Sequence, residues 1–573
     1  MRQKFILLLF FITTGILCCC NQKSAADLVI TDAKIVTLDN RLPQAQALAV
    51  KGDRIAAIGS NDAIAEYMSA GTEVLNLNGQ LVIPGIIEGH AHFLSLGEVK
   101  MNLDLSNAGT WDEIIEIVKG AVHKVKPGEW IIGRGLHQEM WESLPEQTVE
   151  GYPIHSGLSR ISPDNPVMLT HASGHAIFAN AKAMTIAGVS KSTADPKGGH
   201  IVRIQDGQPS GIFLENAETL VENEYEKYRA ARTPEEKEAE IIKMIQLASE
   251  ECLKNGITSF QDAGQPFEII DIYKKLADQD KLNTRLWVMI NEDNHELESG
   301  IDAYKIVNYG NYKLTVRAIK RYMDGALGSR GAWMLKPYSD MPSTTGLNTT
   351  PLDEFKETAR FAIEHDFQLC THAIGDRANR EVLNIYENIF KQNHNKTNLR
   401  WRIEHAQHLH PDDIPRFSKS KVIASMQGIH CISDGPWVHK RIGEERAKEG
   451  AYVWKKLLES GAVVSNGTDA PVEDIDPIAN YYALVTRKMK NGKTFYPEQC
   501  LSRMEALEVS TLNCAYAAFE EDIKGSLTPG KLADMVVLSK DILTVPDEEI
   551  KNTKILYTIL GGKIKYQLKN QIE

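Results

Sequence analysis

The middle of this 573-residue chain repeats one pattern eight times, and that pattern constrains the fold more than any other feature. Each repeat starts with a short apolar run typical of a buried strand, and from the second run onward helical patterns fill the intervals. Apolar runs that alternate with helices are typical of a parallel sheet covered on both faces. Eight strand–helix units predict an α/β fold, a (β/α)8 TIM-like barrel with its site at the carboxyl ends of the strands. The predicted strands are residues 81–87, 256–261, 285–290, 316–322, 367–372, 400–405, 421–426 and 462–466.

Two other regions complete the predicted architecture. The interval between the first and second strands is far too long for one crossover, which indicates an insertion at about residues 95–250. Both ends of the chain are rich in short strands separated by turns, which predicts one small β-sandwich domain built from residues 25–83 and 520–573. The barrel with its insertion then covers residues 84–519.

The first twenty residues are typical of an export signal. Arg2 and Lys4 precede an apolar run at residues 5–17, which is too short and wrongly flanked for a stable membrane span. The run ends in three cysteines and resembles a bacterial lipoprotein signal, in which one cysteine is acylated. Cys20 fits that role best and Cys19 is second, while an ordinary cleaved signal and an uncleaved anchor stay open as alternatives. We expect export to the bacterial cell envelope, with membrane attachment only through a lipid anchor.

Composition excludes several classes of function. The chain has 76 acidic and 64 basic residues, a formal net charge of −12, so nucleic-acid binding is not expected. A GxxxxGK[ST] phosphate loop is missing from the sequence. The cysteines beyond the signal are odd in number and show no CxxC spacing, so we expect small core residues rather than a disulfide framework. These are Cys252, Cys370, Cys431, Cys500 and Cys514.

Candidate metal ligands stand at the ends of the predicted strands. His90 and His92 are two residues apart, so on a strand both imidazoles point to the same face. Alone, this spacing is weak evidence, because two ordinary polar residues at a strand end give the same pattern. Three more residues end the fifth, sixth and eighth strands: His372, His405 and Asp469. Imidazole and carboxylate ligands suit zinc, and five such residues at strand ends are hard to attribute to chance.

Lys320 lies inside the fourth predicted strand, which apolar residues flank. A lone buried ammonium group is costly, so the residue needs an explanation. One is a surface lysine that extends its amine to solvent. The other is a lysine carboxylated by CO2, which is an anion able to bridge two cations.

Taken together, these motifs resemble the amidohydrolase superfamily of metal hydrolases. Within it, the chain is most similar to the amidohydrolase-3 group, which includes YtcJ-like proteins and N-substituted formamide deformylases. The resemblance covers nearly the whole chain after the signal, and one departure is Glu88, where Asp is common before the first histidine. The matching segments are residues 26–30 (ADLVI), 84–92 (PGIIEGHAH), 173–176 (SGHA), Lys320 with 324–330 (DGALGSR), 371–376 (THAIGD), 404–405 (EH), 467–471 (GTDAP) and 525–534 (GSLTPGKLAD).

The resemblance implies one or two divalent metal ions, expected to be Zn2+, and a small-molecule amide substrate. Two cations about 3.5–4 Å apart can activate a hydroxide and polarise an amide carbonyl. Asp469 is then the implied proton shuttle between that hydroxide and the leaving amine. The implied reaction is hydrolysis of a non-peptide C–N bond, such as an N-acyl or N-formyl bond. The implied ligands are His90, His92 and Asp469 for the first ion, His372 and His405 for the second, and carboxylated Lys320 as the bridge.

Further residues are candidates for contacts around this centre. The resemblance places His175 as a group facing the substrate, with a surface loop position as the alternative. Asp376 is either an orienting residue behind His372 or a helix N-cap. Loop packing and substrate contact are both open for four residues that follow strand ends: Arg330, Trp333, His430 and Trp437.

Rival functions use the same barrel. An adenosine-deaminase pattern requires Glu three residues after the fifth-strand histidine, where this chain has Gly375. A hydrolase of cyclic amides and a non-catalytic lipoprotein that binds ligands in a barrel mouth also stay open, as does assembly into a homo-oligomer. The complete ligand set favours the hydrolase, because a binding protein does not need one.

Overall fold

A computed structural model describes residues 25–136, 141–171 and 176–569. All eight predicted strands form, and they lie side by side as one parallel sheet that curls into a nearly closed barrel. The first and last strands meet where the Asp469 N–H donates to the His90 carbonyl at 2.8 Å. The barrel strands are β1 Ile86–Ala91, β2 Ile257–Gln265, β3 Arg285–Ile290, β4 Leu314–Tyr322, β5 Gln368–Ala373, β6 Arg402–His405, β7 Ile423–Gln427 and β8 Val464–Gly467.

The boundary of the first predicted strand was wrong. Residues 81–87 belong to two strands, since Leu81–Pro84 joins a sheet of the chain termini and only β1 enters the barrel. Gly85 separates them at a point of close packing, where a Cβ atom would lie 2.2 Å from the Thr258 hydroxyl oxygen. A single apolar run therefore crosses from one sheet to the next at a residue that has no room for a side chain.

Helices cover the outer face of the barrel. Asp376–Gln392 shows the pattern, because its buried residues Val382, Leu383 and Tyr386 recur at helical spacing and join the main core. The long segment after β7 forms three short helices over the mouth, His430–Asp434, Val438–Ile442 and Glu444–Gly450. The other helices after the strands are Phe267–Asp278, Asn294–Gly300, Leu352–Glu364, Ile414–Ser420, Trp454–Glu459, Pro477–Thr486, Arg503–Val509 and Leu512–Ala517.

The insertion after β1 folds around a six-stranded sheet of its own. It returns to the barrel through Pro234–Lys254, a helix that begins at a capping box of Thr233 and Glu236. The strands of this sheet are Leu103–Asp104, Ile131–Leu136, Val167–His171, Ala176–Ala179, Gly199–Arg203 and Pro209–Glu215. The helices around it are Phe93–Met101, Trp111–Val122, Ser156–Ile161, Ala181–Ile186 and Thr219–Ala230.

Strands from the two ends of the chain share one sheet. Val82 pairs with Val537 across an antiparallel ladder, and Ile35 pairs with Val82 across a parallel one. This six-stranded sheet shares a hydrophobic core with a four-stranded N-terminal sheet. The first sheet comprises Lys34–Val36, Gln44–Ala45, Leu81–Pro84, Met535–Leu538, Ile555–Leu560 and Lys563–Gln567, and the second comprises Leu28–Thr31, Ala47–Lys51, Arg54–Gly59 and Glu73–Asn76. The domain limits given above stay predictions.

One buried ion pair connects the barrel to that terminal sheet. Arg285, the first residue of β3, donates two hydrogen bonds of 2.7 and 2.9 Å to the Asp534 carboxylate. Both side chains are almost fully buried, and Asp534 also accepts the Gly561 N–H at 2.8 Å. The orientation of the barrel relative to the terminal strands is fixed in part by this pair.

The five cysteines beyond the signal are free thiols, and the prediction of buried core residues is confirmed for four of them, while Cys500 is partly exposed. Among the described residues, none of the helices combines the length and the apolar character that a bilayer crossing requires. The signal at residues 1–20, with Cys19 and Cys20, lies outside the described residues.

Candidate metal centre

The first predicted ligand group comes together at the mouth of the barrel. His92 Nε2 lies 3.2 Å from Asp469 Oδ1, and His90 Nε2 lies 3.6 Å from the same oxygen. One ligand atom from each of these three residues falls within 4.8 Å of the others. The His-x-His pair at the end of β1 and the aspartate after β8 therefore converge, because β1 and β8 are neighbours in the barrel.

The second predicted group lies directly beside the first. The rings of His372 and His405 are 4.5 Å apart between centroids, and the His90 ring is 4.8 Å from the His405 ring. Lys320 Nζ lies 3.5 Å from His90 Nε2, with the lysine 1% exposed. The structure thus brings all six predicted ligands into one cluster, with the lysine among the histidines.

Backbone conformation aims two of these side chains inward. Asp469 has φ of +61° and His405 has φ of +73°, both in the left-handed region. Left-handed residues other than glycine cost about 1–3 kcal/mol each and persist where the surrounding structure fixes them.

Burial sets the protonation of the histidines. It lowers the pKa of His90 to about 4 and the pKa of His372 to about 3, and it holds the pKa of His405 well below the ordinary value. These imidazoles are therefore neutral near pH 7, which is the form that binds a metal ion.

The two charged candidates also depart from their ordinary pKa values. Burial lowers the pKa of Lys320, which favours the neutral amine that can react with CO2. Burial on its own would raise the pKa of Asp469, but the contact with His92 holds it well below the usual range. Asp469 is therefore a carboxylate.

This donor set fits a divalent cation. Four imidazoles and one carboxylate are the nitrogen and oxygen ligands that zinc prefers. His372 Nε2 and Asp469 Oδ1 are both buried without a well-oriented hydrogen-bond partner among the described residues. Divalent cations held by this cluster would satisfy such polar atoms, which are otherwise costly to bury.

Glu404 contacts His90 inside the barrel, and Arg402 contacts Glu404. The sequence analysis predicts neither contact. His90 Nδ1 hydrogen-bonds to Glu404 Oε2, and both side chains are completely buried. Burial on its own would raise the pKa of Glu404, but the Arg402 guanidinium and His90 hold it far below the ordinary value. The only available signal was the position of Glu404 directly before His405 in the EH motif.

Glu88 joins the first strand to the last. Its carboxyl group accepts the Thr468 N–H at 2.7 Å, the Thr468 hydroxyl at 2.9 Å and the His90 N–H at 3.2 Å. Burial raises the pKa of Glu88 to about 8. The longer side chain at this family position is thus accommodated between β1 and β8.

Asp324, rather than Asp376, is the acidic residue that lies beside His372. Its carboxylate accepts three backbone N–H groups, those of Trp333, Ile374 and Gly375, at 2.7 to 2.9 Å. Its Oδ1 also lies 3.7 Å from His372 Nε2.

Asp376 is a correction to the sequence analysis. It is the first residue of its helix, whose N-cap position is Gly375, so the N-cap alternative was wrong. Its carboxylate accepts the Leu335 N–H at 2.7 Å. Asp376 therefore fixes the loop after β4, while Asp324 lies beside His372.

The remaining sequence candidates occupy different surroundings. His430 is buried, and its ring stacks 6.4 Å from the His405 ring, so it borders the centre. Arg330 pairs with Asp340, and Trp333 lies under the Arg377 guanidinium, which are loop contacts. Trp437 similarly faces the Arg441 guanidinium at 5.6 Å. His175 lies outside the described residues.

A barrel of this kind, with imidazole and carboxylate ligands at its strand ends, defines the class of metal-dependent hydrolases. Residues 73–566 match the sequence profile of the Amidohydrolase family. The chain belongs to that family, as the motifs predicted. A small-molecule substrate follows from this membership.

Three known proteins are similar to this chain over nearly its full length. The chain is 33% identical over 558 residues to Protein LONG AFTER FAR-RED 3 of Arabidopsis thaliana, covering 94% of this chain and 92% of that protein. It is 26% identical to the N-substituted formamide deformylase of Arthrobacter pascens, covering 94% and 98%. A crystal structure of an uncharacterized metal-dependent hydrolase from Pyrococcus furiosus superposes with a TM-score of 0.69 at 26% identity, covering 90% of this chain and 100% of that one.

Proposed function

We propose that the protein hydrolyses a non-peptide C–N bond in a small linear amide, with an N-acyl or N-formyl group as the bond cleaved. The observation that carries this proposal is the convergence of His90, His92, Lys320, His372, His405 and Asp469 at one end of the barrel. The similarity to an enzyme named for deformylating N-substituted formamides supports the linear amide over a ring.

The metal is proposed to be Zn2+, in one or two copies. His90, His92 and Asp469 would hold the first ion, His372 and His405 the second, and a carboxylated Lys320 would lie between them. Bound there, a divalent cation supplies Lewis acidity and lowers the pKa of water.

The chain itself supplies proton transfer. The Asp469 carboxylate accepts a proton from the attacking water and returns it to the leaving nitrogen, because it is the only predicted ligand that is an anionic base without modification. The barrel core behind the ligands is fully buried, which excludes bulk water from that side.

The deaminase alternative is disfavoured by local packing. A Cβ atom on Gly375 would lie 2.1 Å from the Trp333 carbonyl oxygen, so a glutamate at this position requires the loop after β4 to move. Cyclic amides stay in the test set as the second candidate substrate class.

The decisive experiment is a substrate screen of the zinc-reconstituted protein. Libraries of N-formyl, N-acyl, dipeptide and cyclic amides are incubated with the protein, and release of free amine is measured. We expect turnover of formyl or acyl amides that disappears in the matched variant His90→Asn/His92→Asn. Turnover confined to cyclic substrates assigns the second class, and zinc binding without any turnover favours the non-catalytic alternative.

Export and lipid anchoring through Cys20, or failing that Cys19, are part of the same proposal. The charged start, apolar run and cysteine cluster at residues 1–20 support it. Mass spectrometry of the mature N-terminus is expected to show an acylated cysteine. A free amine at a residue beyond Cys20 without acyl mass rejects the lipid anchor and leaves export intact.

A β-sandwich domain at the two ends of the chain is a proposal of the same kind, and the hydrophobic core that the two terminal sheets share supports it. Assembly into a homo-oligomer stays an open alternative, which light scattering of the purified protein decides.

A further inference from the structure

We infer that Glu404 is a positioning residue that selects which ring nitrogen of His90 faces the metal centre, and that Arg402 fixes Glu404 for this purpose. The inference deepens the proposed function and rests on its metal site. It concerns the tautomer of one imidazole, a property that can be measured without any metal ion or substrate.

The two nitrogens of His90 have different surroundings. Nδ1 hydrogen-bonds to Glu404, deep inside the barrel, while Nε2 lies 3.5 Å from Lys320 Nζ and 3.6 Å from Asp469 Oδ1. Only Nε2 is therefore directed at the other predicted ligands. A neutral imidazole has one N–H and one lone pair, so Nε2 can bind a cation only when the proton is on Nδ1.

Glu404 stabilises that arrangement because a carboxylate accepts hydrogen bonds and cannot donate one. Hydrogen bonds from a histidine ligand to a carboxylate behind it are a common way to fix tautomer and ring orientation. His90 is completely buried, so water does not compete for Nδ1. The tautomer is thus set by this one acceptor.

Arg402 keeps the acceptor in place. Its Nε donates to Glu404 Oε1 at 2.7 Å and its Nη2 donates to Glu404 Oε2 at 3.0 Å, a two-pronged contact along β6. The same guanidinium donates to the Gly89 carbonyl and the Ser425 hydroxyl, both at 2.8 Å, and to Gln261. Arg402 therefore connects β1, β2, β6 and β7 through the barrel interior and leaves Glu404 a single orientation.

Glu404→Gln reverses the polarity of the contact while preserving its shape. Arg402 Nε donates to Glu404 Oε1 alone among the described residues, whereas Nη2 also donates to Gly89 and Ser425 and can give up its contact with Oε2. The Gln carbonyl oxygen therefore takes the Oε1 position, and the Gln amide group turns toward His90. The amide then donates to Nδ1, and the proton of His90 moves to Nε2. That nitrogen can no longer bind a cation.

The test measures the tautomer and the zinc affinity separately. Long-range 1H–15N NMR of metal-free, 15N-histidine-labelled full-length protein reports the protonated nitrogen, with the His90 signal identified by its loss in His90→Gln. Competition with a chelator reports zinc affinity. We expect Nδ1–H in the wild type, Nε2–H in Glu404→Gln, and a loss of zinc affinity of about 10–100-fold.

Glu521→Gln is the matched control. Glu521 accepts a similar two-pronged contact from Arg400, at 2.7 and 2.9 Å, but has no histidine partner in it. It is expected to keep the wild-type tautomer and zinc affinity. If Glu404→Gln does not fold, Glu404→Asp keeps the charge but withdraws the acceptor from His90, and the same shift in tautomer and affinity is expected.

Failure of the inference differs from failure of the proposed function. A wild-type Nε2–H tautomer, or an unchanged tautomer and zinc affinity in the folded Glu404 variant, overturns the positioning role. The metal site is overturned if the wild-type protein binds no divalent metal. The tautomer assignment still stands in that case if the wild type has Nδ1–H and Glu404→Gln has Nε2–H.

Discussion

Lys320→Ala is expected to lose metal and activity together. The amine lies 3.5 Å from His90 Nε2 in a cluster of neutral imidazoles, and the side chain is almost completely buried. In that place an ammonium repels cations, whereas a carboxylated lysine attracts them. The loss should exceed the about 10–100-fold that removal of a residue one step behind a ligand costs. Metal content by mass spectrometry and turnover of the best amide are the measurements.

Short carboxylic acids test the same bridging role by recovery of metal and activity rather than by their loss. Acetate or propionate can occupy the space left in Lys320→Ala and replace the bridging carboxylate, so partial recovery of both metal and activity is expected. Lys313→Ala is the control, because burial also lowers the pKa of Lys313, to about 8, but that lysine lies before β4, at the opposite end of the strand. Full activity in Lys320→Arg contradicts the bridging role, since a guanidinium is not carboxylated in this way.

The barrel was predictable because its strands are short apolar runs with a clear period. The ligands were predictable because His90, His92 and Asp469 follow such runs, and strand ends meet at one face of a barrel. The boundary at Gly85 was missed, since two strands in different sheets read as one continuous apolar run. The sequence analysis predicted the insertion but not the six-stranded sheet that it contains.

The supporting contacts were not predictable for a different reason. His90 and Glu404 are 314 positions apart, and their contact exists only because the sheet curls so that β1 and β6 face each other across the barrel interior. Asp324 and Asp376 could not be distinguished from the sequence for the same reason, because their contacts form only in the folded protein. Both follow strand ends and both are acidic, and only the backbone N–H groups that converge on Asp324 distinguish it. Sequence pattern identifies groups that bind an ion, whereas the groups that orient them depend on tertiary packing.

Asp469→Asn is expected to lower kcat by about 10²–10⁴-fold, the usual contribution of a general base. Asparagine keeps the shape of the side chain and one carbonyl ligand, but it cannot accept the proton. The backbone tolerates the change, because Asn adopts the left-handed conformation as readily as Asp at the observed φ of +61°. The hydrogen bond from the residue 469 N–H to the His90 carbonyl is also retained.

Because Asp469 is a predicted ligand as well as the predicted shuttle, metal stoichiometry and kcat must be measured on the same samples. Asp476→Asn is the matched control, since Asp476 caps the helix Pro477–Thr486 and Asn caps a helix equally well. It should leave kcat and metal content unchanged.

Loss of metal in Asp469→Asn assigns the effect to ligation, whereas full metal with a large fall in kcat assigns it to proton transfer. If the variant binds metal normally and its kcat stays within a few-fold of the wild type, Asp469 is not the shuttle. The buried His430, whose ring borders His405, is then the next residue to replace.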